Sequence, residues 1–200
     1  MNLIYLHGFQ SHANSVKGTL LKQYCQKYAP HISVHLPDLN LAPFDAVQRI
    51  QQYVQGLNNL AFMGSSLGGF YATYLARYYH TPAVLINPTI EPWLLFLSLF
   101  GQAQLPYNVT STWQLQQEHL HQLQNLAQTF DGQWQQFLVL LQCQDEVLDY
   151  TQAQRYYRQA KQSAMIITEQ HGDHVMQNFA EKIPMLLTFL SHQLALKETI

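Results

Sequence analysis

The chain has 200 residues, with 10 Lys and Arg against 12 Asp and Glu, and a formal net charge of −2. That length suits one domain with a sizeable core, and a nearly neutral chain without a Lys/Arg run excludes nucleic acid or an anionic membrane as the main partner. The two cysteines, Cys25 and Cys143, lie far apart without metal-type spacing and fit reduced thiols in a cytoplasmic compartment.

The opening "MNLIYLHG" lacks the basic region and long apolar stretch of a secretion signal and reads as a first core strand, Leu3–Leu6. Further apolar runs predict strands at Ser33–Leu36, Leu60–Met63, Ala83–Ile86, Phe137–Leu141 and Ala164–Thr168. Helical patterns fall between them: Asn14–Tyr28, Phe44–Gly56, Ser66–Tyr79, a long region Glu91–Phe130, then Thr151–Lys161 and Val175–Leu196. Repeated strand-helix-strand units imply right-handed crossovers and a mostly parallel sheet of about six strands with helices on both faces. Ligands of such sheets bind beyond the carboxyl ends of the strands. The residues found there are His7-Gly8-Phe9, Pro37-Asp38, Gly64-Ser65-Ser66, Asn87-Pro88, Gln144-Asp145-Glu146 and His171-Gly172-Asp173-His174.

The stretch "LAFMGSSLGGFYATYLARYY" carries the most information. Gly64 and Gly69 have the separation of the two glycines of a Walker A loop, but Phe70 and Tyr71 stand where that loop needs Lys and Ser/Thr. The dinucleotide fingerprint fails too, because Ser66 replaces its second glycine. Gly64-Ser65-Ser66-Leu67-Gly68 instead matches G-x-S-x-G, a strand-to-helix turn so sharp that small residues must flank the central serine. Centring on Ser65 would place Met63 and Leu67 at the glycine positions, so register selects Ser66. Free backbone N–H groups at the start of the following helix favour developing negative charge there.

A serine hydroxyl is a weak nucleophile until an imidazole takes its proton, and a carboxylate must hold that imidazole in the right tautomer. Chain order in this arrangement is Ser, then acid, then His. Asp145 follows the strand "FLVLLQ" and is the favoured acid. Asp149, three residues before Gln152, has the spacing of a helix N-cap, Asp131 precedes its strand, and Asp38 precedes the serine and shapes a turn. Among the histidines, His192 lies inside the last helical pattern. His174 is placed at the start of that helix, with Gly172 giving its loop freedom. A metal set of His171, Asp173 and His174 is the weaker alternative, since no HExxH accompanies it.

The motifs "YLHGFQS", "LPDL", "GSSLGGF", "INP", "PYN", "DEVLDY" and "GDHVMQNF", in this order and over nearly the whole chain, resemble the YqiA-like small esterases of the α/β-hydrolase superfamily. The resemblance implies a compact α/β-hydrolase fold with Ser66 as nucleophile, Asp145 as acid and His174 as base. It also implies an oxyanion hole from the backbone N–H groups of Phe9 and Leu67. The expected substrate is a small carboxylic ester or acyl thioester, acyl-CoA included, and the chemistry calls for no cofactor and no metal. His7 and Gly8, beside the oxyanion loop, are expected to contact substrate. The sequence departs from the family pattern at Gln144, His171 and Met176, which bears on loop geometry more than on the reactive groups.

Two other readings share these residues: a non-catalytic binder that keeps the pocket, and an acyltransferase that passes the acyl group to an alcohol or amine. The apolar segment Trp93–Phe100 is too short to span a membrane, which takes about twenty residues. It lies in a lid-like helical insertion, residues 91–130, within a single domain of residues 1–200. A helix apolar on every side is expected to be buried. Either its inner face, Trp93, Leu94 and Leu97, lines an acyl pocket, or it packs on the core or at a contact between subunits of a homo-oligomer.

Overall fold

The computed structural model describes residues 1–101, 105–159 and 161–198. Positions 102–104 of the expected helical region and position 160 of the expected Thr151–Lys161 helix lie outside them. The main elements are β1 (Asn2–Leu6), α1 (Val16–Tyr28), β2 (Ser33–His35), α2 (Pro43–Val54), β3 (Leu60–Ser65), α3 (Leu67–Tyr78), β4 (Ala83–Ile86) and α4 (Pro92–Phe100). They continue with β5 (Tyr107–Asn108), β6 (Gln114–Leu115), α5 (Gln117–Ala127), β7 (Phe137–Gln142), α6 (Tyr150–Arg158), β8 (Met165–Glu169) and α7 (Phe179–Glu198).

Six strands form one sheet in the order β2-β1-β3-β4-β7-β8, and every pairing in it is parallel. Alternation along the strands decides what each face buries. Ile4, Leu6, Phe62, Leu85, Val139 and Leu141 point into one core with α2, α3, α5 and α6. Leu3, Tyr5, Met63, Val84, Ile86, Leu138 and Leu140 point into a second core with α1 and α7. Both faces are thus covered, which is why the strands read as unbroken apolar runs rather than as alternating ones.

The chain moves from β1 outward to β2 and then returns to the other side of β1 to form β3. A crevice opens where strand order reverses in this way, between the loops that follow β1 and β3. Register aligns the strand ends, with Leu6 opposite Gly64, Ser65 opposite Ile86, and Gln142 opposite Glu169.

Two expectations need correction. The region Glu91–Phe130 is not continuous helix: between α4 and α5 runs a short antiparallel hairpin of β5 and β6, preceded by a cis Leu105–Pro106 bond. Nor is α4 buried all round. Phe96 is 2 % exposed and faces the core, while Leu94 and Leu99 are 51 % and 54 % exposed.

Candidate active site

The turn after β3 is as tight as its glycines imply. Ser66 has φ 55° and ψ −121°, a strained conformation for a residue with a side chain. Its N–H donates to Ile86 O at 3.0 Å, and its carbonyl accepts from Gly69 N at 2.9 Å and Thr89 N at 3.2 Å, so neighbouring backbone holds the strain in place. A Cβ on Gly68 would collide with Leu6 O, and one on Gly64 with the Gly68 carbonyl. A Cβ on Gly69 would stand 2.8 Å from Pro88 Cβ. The elbow is therefore wedged between the ends of β1 and β4, and only glycine fits at its flanks. Leu67 begins α3, so its N–H has no acceptor within the helix.

The loop after β1 covers this turn. Gly8 sits directly over Ser66, because a Cβ there would come within 3.3 Å of Ser66 Cβ. His7 is 3 % exposed and does not line the cavity. Its Nε2 accepts from Leu39 N at 3.0 Å, which fixes the proton on Nδ1, and Nδ1 donates to Gly8 O at 2.9 Å. In that tautomer the 3.3 Å approach of Nε2 to Asp38 Oδ1 is not an ion pair. Burial lowers the His7 pKa below the ordinary value of 6.5 against the opposing pull of the Gly8 carbonyl and Asp38, and so favours the neutral ring. His7 thus ties together the loops after β1 and β2.

Asp145 and His174 are brought together. Asp145 Oδ2 lies 2.8 Å from His174 Nδ1, and the carboxylate is 2 % exposed against 18 % for the imidazole. Asp145 Oδ1 accepts from Val147 N at 2.9 Å and Leu148 N at 2.8 Å. With the carboxylate accepting, Nδ1 carries the proton and Nε2 keeps its lone pair. His174 stands on a loop ahead of α7, which begins only at Phe179 rather than at the expected Val175. Met176, buried to 1 % exposure, anchors that loop in the second core. Asp149 caps α6 through Thr151 N at 2.9 Å, as its spacing implies.

Asn87, marked in the sequence only by following a strand, is a structural member of the site. It is 3 % exposed, and its Nδ2 donates to Asp173 O at 3.2 Å and His174 O at 3.1 Å. Its Oδ1 accepts from Gln142 N at 2.9 Å, so one side chain ties the end of β7 to the histidine loop. Glu146 adds a second tie by accepting from His174 N at 3.0 Å. His171, Asp173 and His174 do not converge: Asp173 Oδ2 accepts from Gln177 at 2.6 Å. Among the described residues no group of three or more His, Cys, Asp or Glu could hold a metal ion.

Ser66, His174, Gly8 and Phe9 share one cavity of about 360 Å³, within the usual range of small-molecule sites. Its lining also takes in residues of the loop from Gln10 to Ser15 and the start of α1. Behind Phe9 stands α4: the Phe9 ring centroid is 4.6 Å from that of Phe96 and 5.9 Å from that of Phe100. Trp93 and Leu97 pack on the first core, and with Leu94 they lie outside the cavity lining. Gln10 Nε2 donates to Tyr107 Oη at 2.7 Å, joining the loop after β1 to the hairpin.

The parallel sheet, the strained serine turn and the Asp-His pair at one strand edge define an α/β-hydrolase fold. The chain belongs to the family described as Uncharacterised protein family (UPF0227), whose model matches residues 2–191; this is the YqiA-like family to which the motifs pointed. Among solved structures it is similar to Est1E from Butyrivibrio proteoclasticus, with 16% identity, a TM-score of 0.75, and coverage of 97% of this chain and 88% of that one. Alpha/beta hydrolase domain-containing protein 10 from mouse superposes with a TM-score of 0.69 at 13% identity, covering 96% and 90%. The esterase domain of a Rhodothermus marinus protein does so at 0.69 and 14%, covering 96% and 87%. At these identities the likeness is one of fold.

Proposed function

We propose that the protein is a serine hydrolase that cleaves small carboxylic esters or acyl thioesters through an acyl-enzyme. The observation that carries this reading is the buried Asp145–His174 contact of 2.8 Å, with His174 lining the same cavity as the strained Ser66. It leaves His174 Nε2 free to act on the serine. Membership of the YqiA-like family supports the same reading.

In the proposed reaction Ser66 Oγ attacks the acyl carbonyl while His174 Nε2 takes its proton. The oxyanion of the tetrahedral intermediate is held by the N–H groups of Phe9 and Leu67, each such donor being worth on the order of 3 kcal/mol. Collapse transfers the His174 proton to the departing alcohol or thiol. Water, deprotonated by His174, then releases the acid and returns Ser66 to its starting state. Asp145 stays ionised throughout and orients the ring. The insertion of residues 91–130 acts as a wall behind Phe9, so Phe96 and Phe100 shape the site through that ring.

A panel of p-nitrophenyl esters and acyl-CoAs of graded chain length tests the activity and ranks oxygen against sulfur esters. Turnover by the wild type that is lost in Ser66→Ala is expected. Turnover that persists undiminished in purified Ser66→Ala contradicts the reading, and acyl transfer to added alcohols or amines in preference to water would favour the acyltransferase.

A further inference from the structure

The cavity that holds Ser66 and His174 is not apolar throughout. One flank of its lining, contributed by the loop before α1 and the start of that helix, comprises Lys17 together with Ser11, His12 and Ser15. Lys17 occupies the second position of α1, whose first turn contains no acid. A cation there is disfavoured by the helix dipole. Among the described residues no carboxylate lies within 4.0 Å of its ammonium. Asp173 reaches Lys17 only through its field, and the carboxylate of Asp173 is instead engaged by Gln177. Burial pushes the Lys17 pKa down against the opposing field of Asp173, as for a partly desolvated charge without a contact ion pair. The chain carries few cations, with 10 Lys and Arg in all, so one lining the cavity of the nucleophile is a specific feature rather than a sample of a basic surface.

Resting on the serine-hydrolase reading, we propose that this flank is an anion subsite. The preferred substrate is an ester or thioester bearing an anionic group, a carboxylate in the simplest case, a few bonds from its scissile carbonyl. Lys17 binds that group, with the hydroxyls of Ser11 and Ser15 and the His12 ring beside it. The geometry favours a short substrate: the cavity of about 360 Å³ must hold both the reacting carbonyl over Ser66 and the charge at Lys17.

Two matched pairs of esters test this, each differing only in charge. Mono(4-nitrophenyl) adipate against its methyl ester places the charge on the acyl side, and 4-acetoxybenzoate against methyl 4-acetoxybenzoate places it on the leaving side. After subtraction of uncatalysed rates, the ratio of kcat/KM for the anionic to the neutral member is expected to exceed one in the wild type for at least one pair. In Lys17→Met that ratio is expected to fall about tenfold, the scale of a lost charge-assisted hydrogen bond. Lys17→Glu should lower it further, and Lys17→Arg should retain most of it. Removing a partly buried cation from a helix start does not threaten folding, and urea midpoints verify that. Hydrolysis of the esters with a ratio that changes less than twofold in both Lys17→Met and Lys17→Glu, or a wild-type ratio at or below one in both pairs, overturns the subsite alone. A folded wild type that hydrolyses none of the four overturns the hydrolase reading, and the subsite with it.

Discussion

Asp145 Oδ2 stands 2.8 Å from His174 Nδ1, with the carboxylate almost wholly withdrawn from solvent. Other acids near the same strand edge are occupied elsewhere: Asp149 with the α6 cap, Asp38 with Asn40, Asp173 with Gln177 and Glu146 with the His174 backbone N–H. Asp145→Asn should therefore lower kcat about 10³- to 10⁴-fold, because the imidazole loses the partner that fixes its tautomer. Asp149→Asn preserves an N-cap almost as good as the original and should leave kcat within about twofold, as should Asp38→Asn. If either control proves as damaging as Asp145→Asn in equally stable proteins, Asp145 is not the acid.

Asn87 holds the histidine loop from beneath, donating to the carbonyls of Asp173 and His174 and accepting from Gln142 N. Truncation to alanine leaves three backbone groups without their partner, which should cost about 1–3 kcal/mol of stability. It should also let the imidazole drift, and a displacement of roughly an ångström lowers turnover by up to about 10²-fold. The expected signature in Asn87→Ala is a fall in kcat with little change in KM, at a temperature where the variant is still folded. A lower Tm with unchanged kcat would assign Asn87 to stability only.

Stability should depend on pH through His7. Its folded pKa lies below the ordinary value of 6.5 because burial penalises the charged ring, so below about 6.5 the unfolded chain binds more protons than the folded one. The stabilisation is full above that pH and is lost as pH falls towards the folded value. Burial depresses His35 and His119 in the same direction, so they share in the effect. Urea midpoints at pH 7.5 and 5.5 should differ in the wild type, and the difference should shrink in His7→Gln. An equal difference in the two proteins would mean that His7 is not neutral in the fold.

What was legible in the sequence follows from burial. Strands covered on both faces are continuous apolar runs, and each of the six in the sheet falls within two residues of its expected bounds. Ser66, Asp145 and His174 could be singled out because each directly follows a strand or lies in a loop beyond one, where a parallel sheet collects ligands. The hairpin could not, since two-residue strands such as Tyr107–Asn108 and Gln114–Leu115 carry no periodicity. The sidedness of α4 was hidden for a related reason: with Leu or Phe at nearly every position, nothing in the pattern tells the face of Phe96 from that of Leu94. The roles of His7 and Asn87 are set by partners 32 and 55 residues away, Leu39 and Gln142, which no local spacing reports.

If Ser66 is an activated nucleophile, a fluorophosphonate will label it covalently, which intact-mass and peptide mass spectrometry can read. One adduct per folded chain is expected, located on the peptide containing Ser66, absent in Ser66→Ala and formed much more slowly in variants of His174. A folded wild type that takes no label, or a label that persists unchanged in Ser66→Ala, would contradict it.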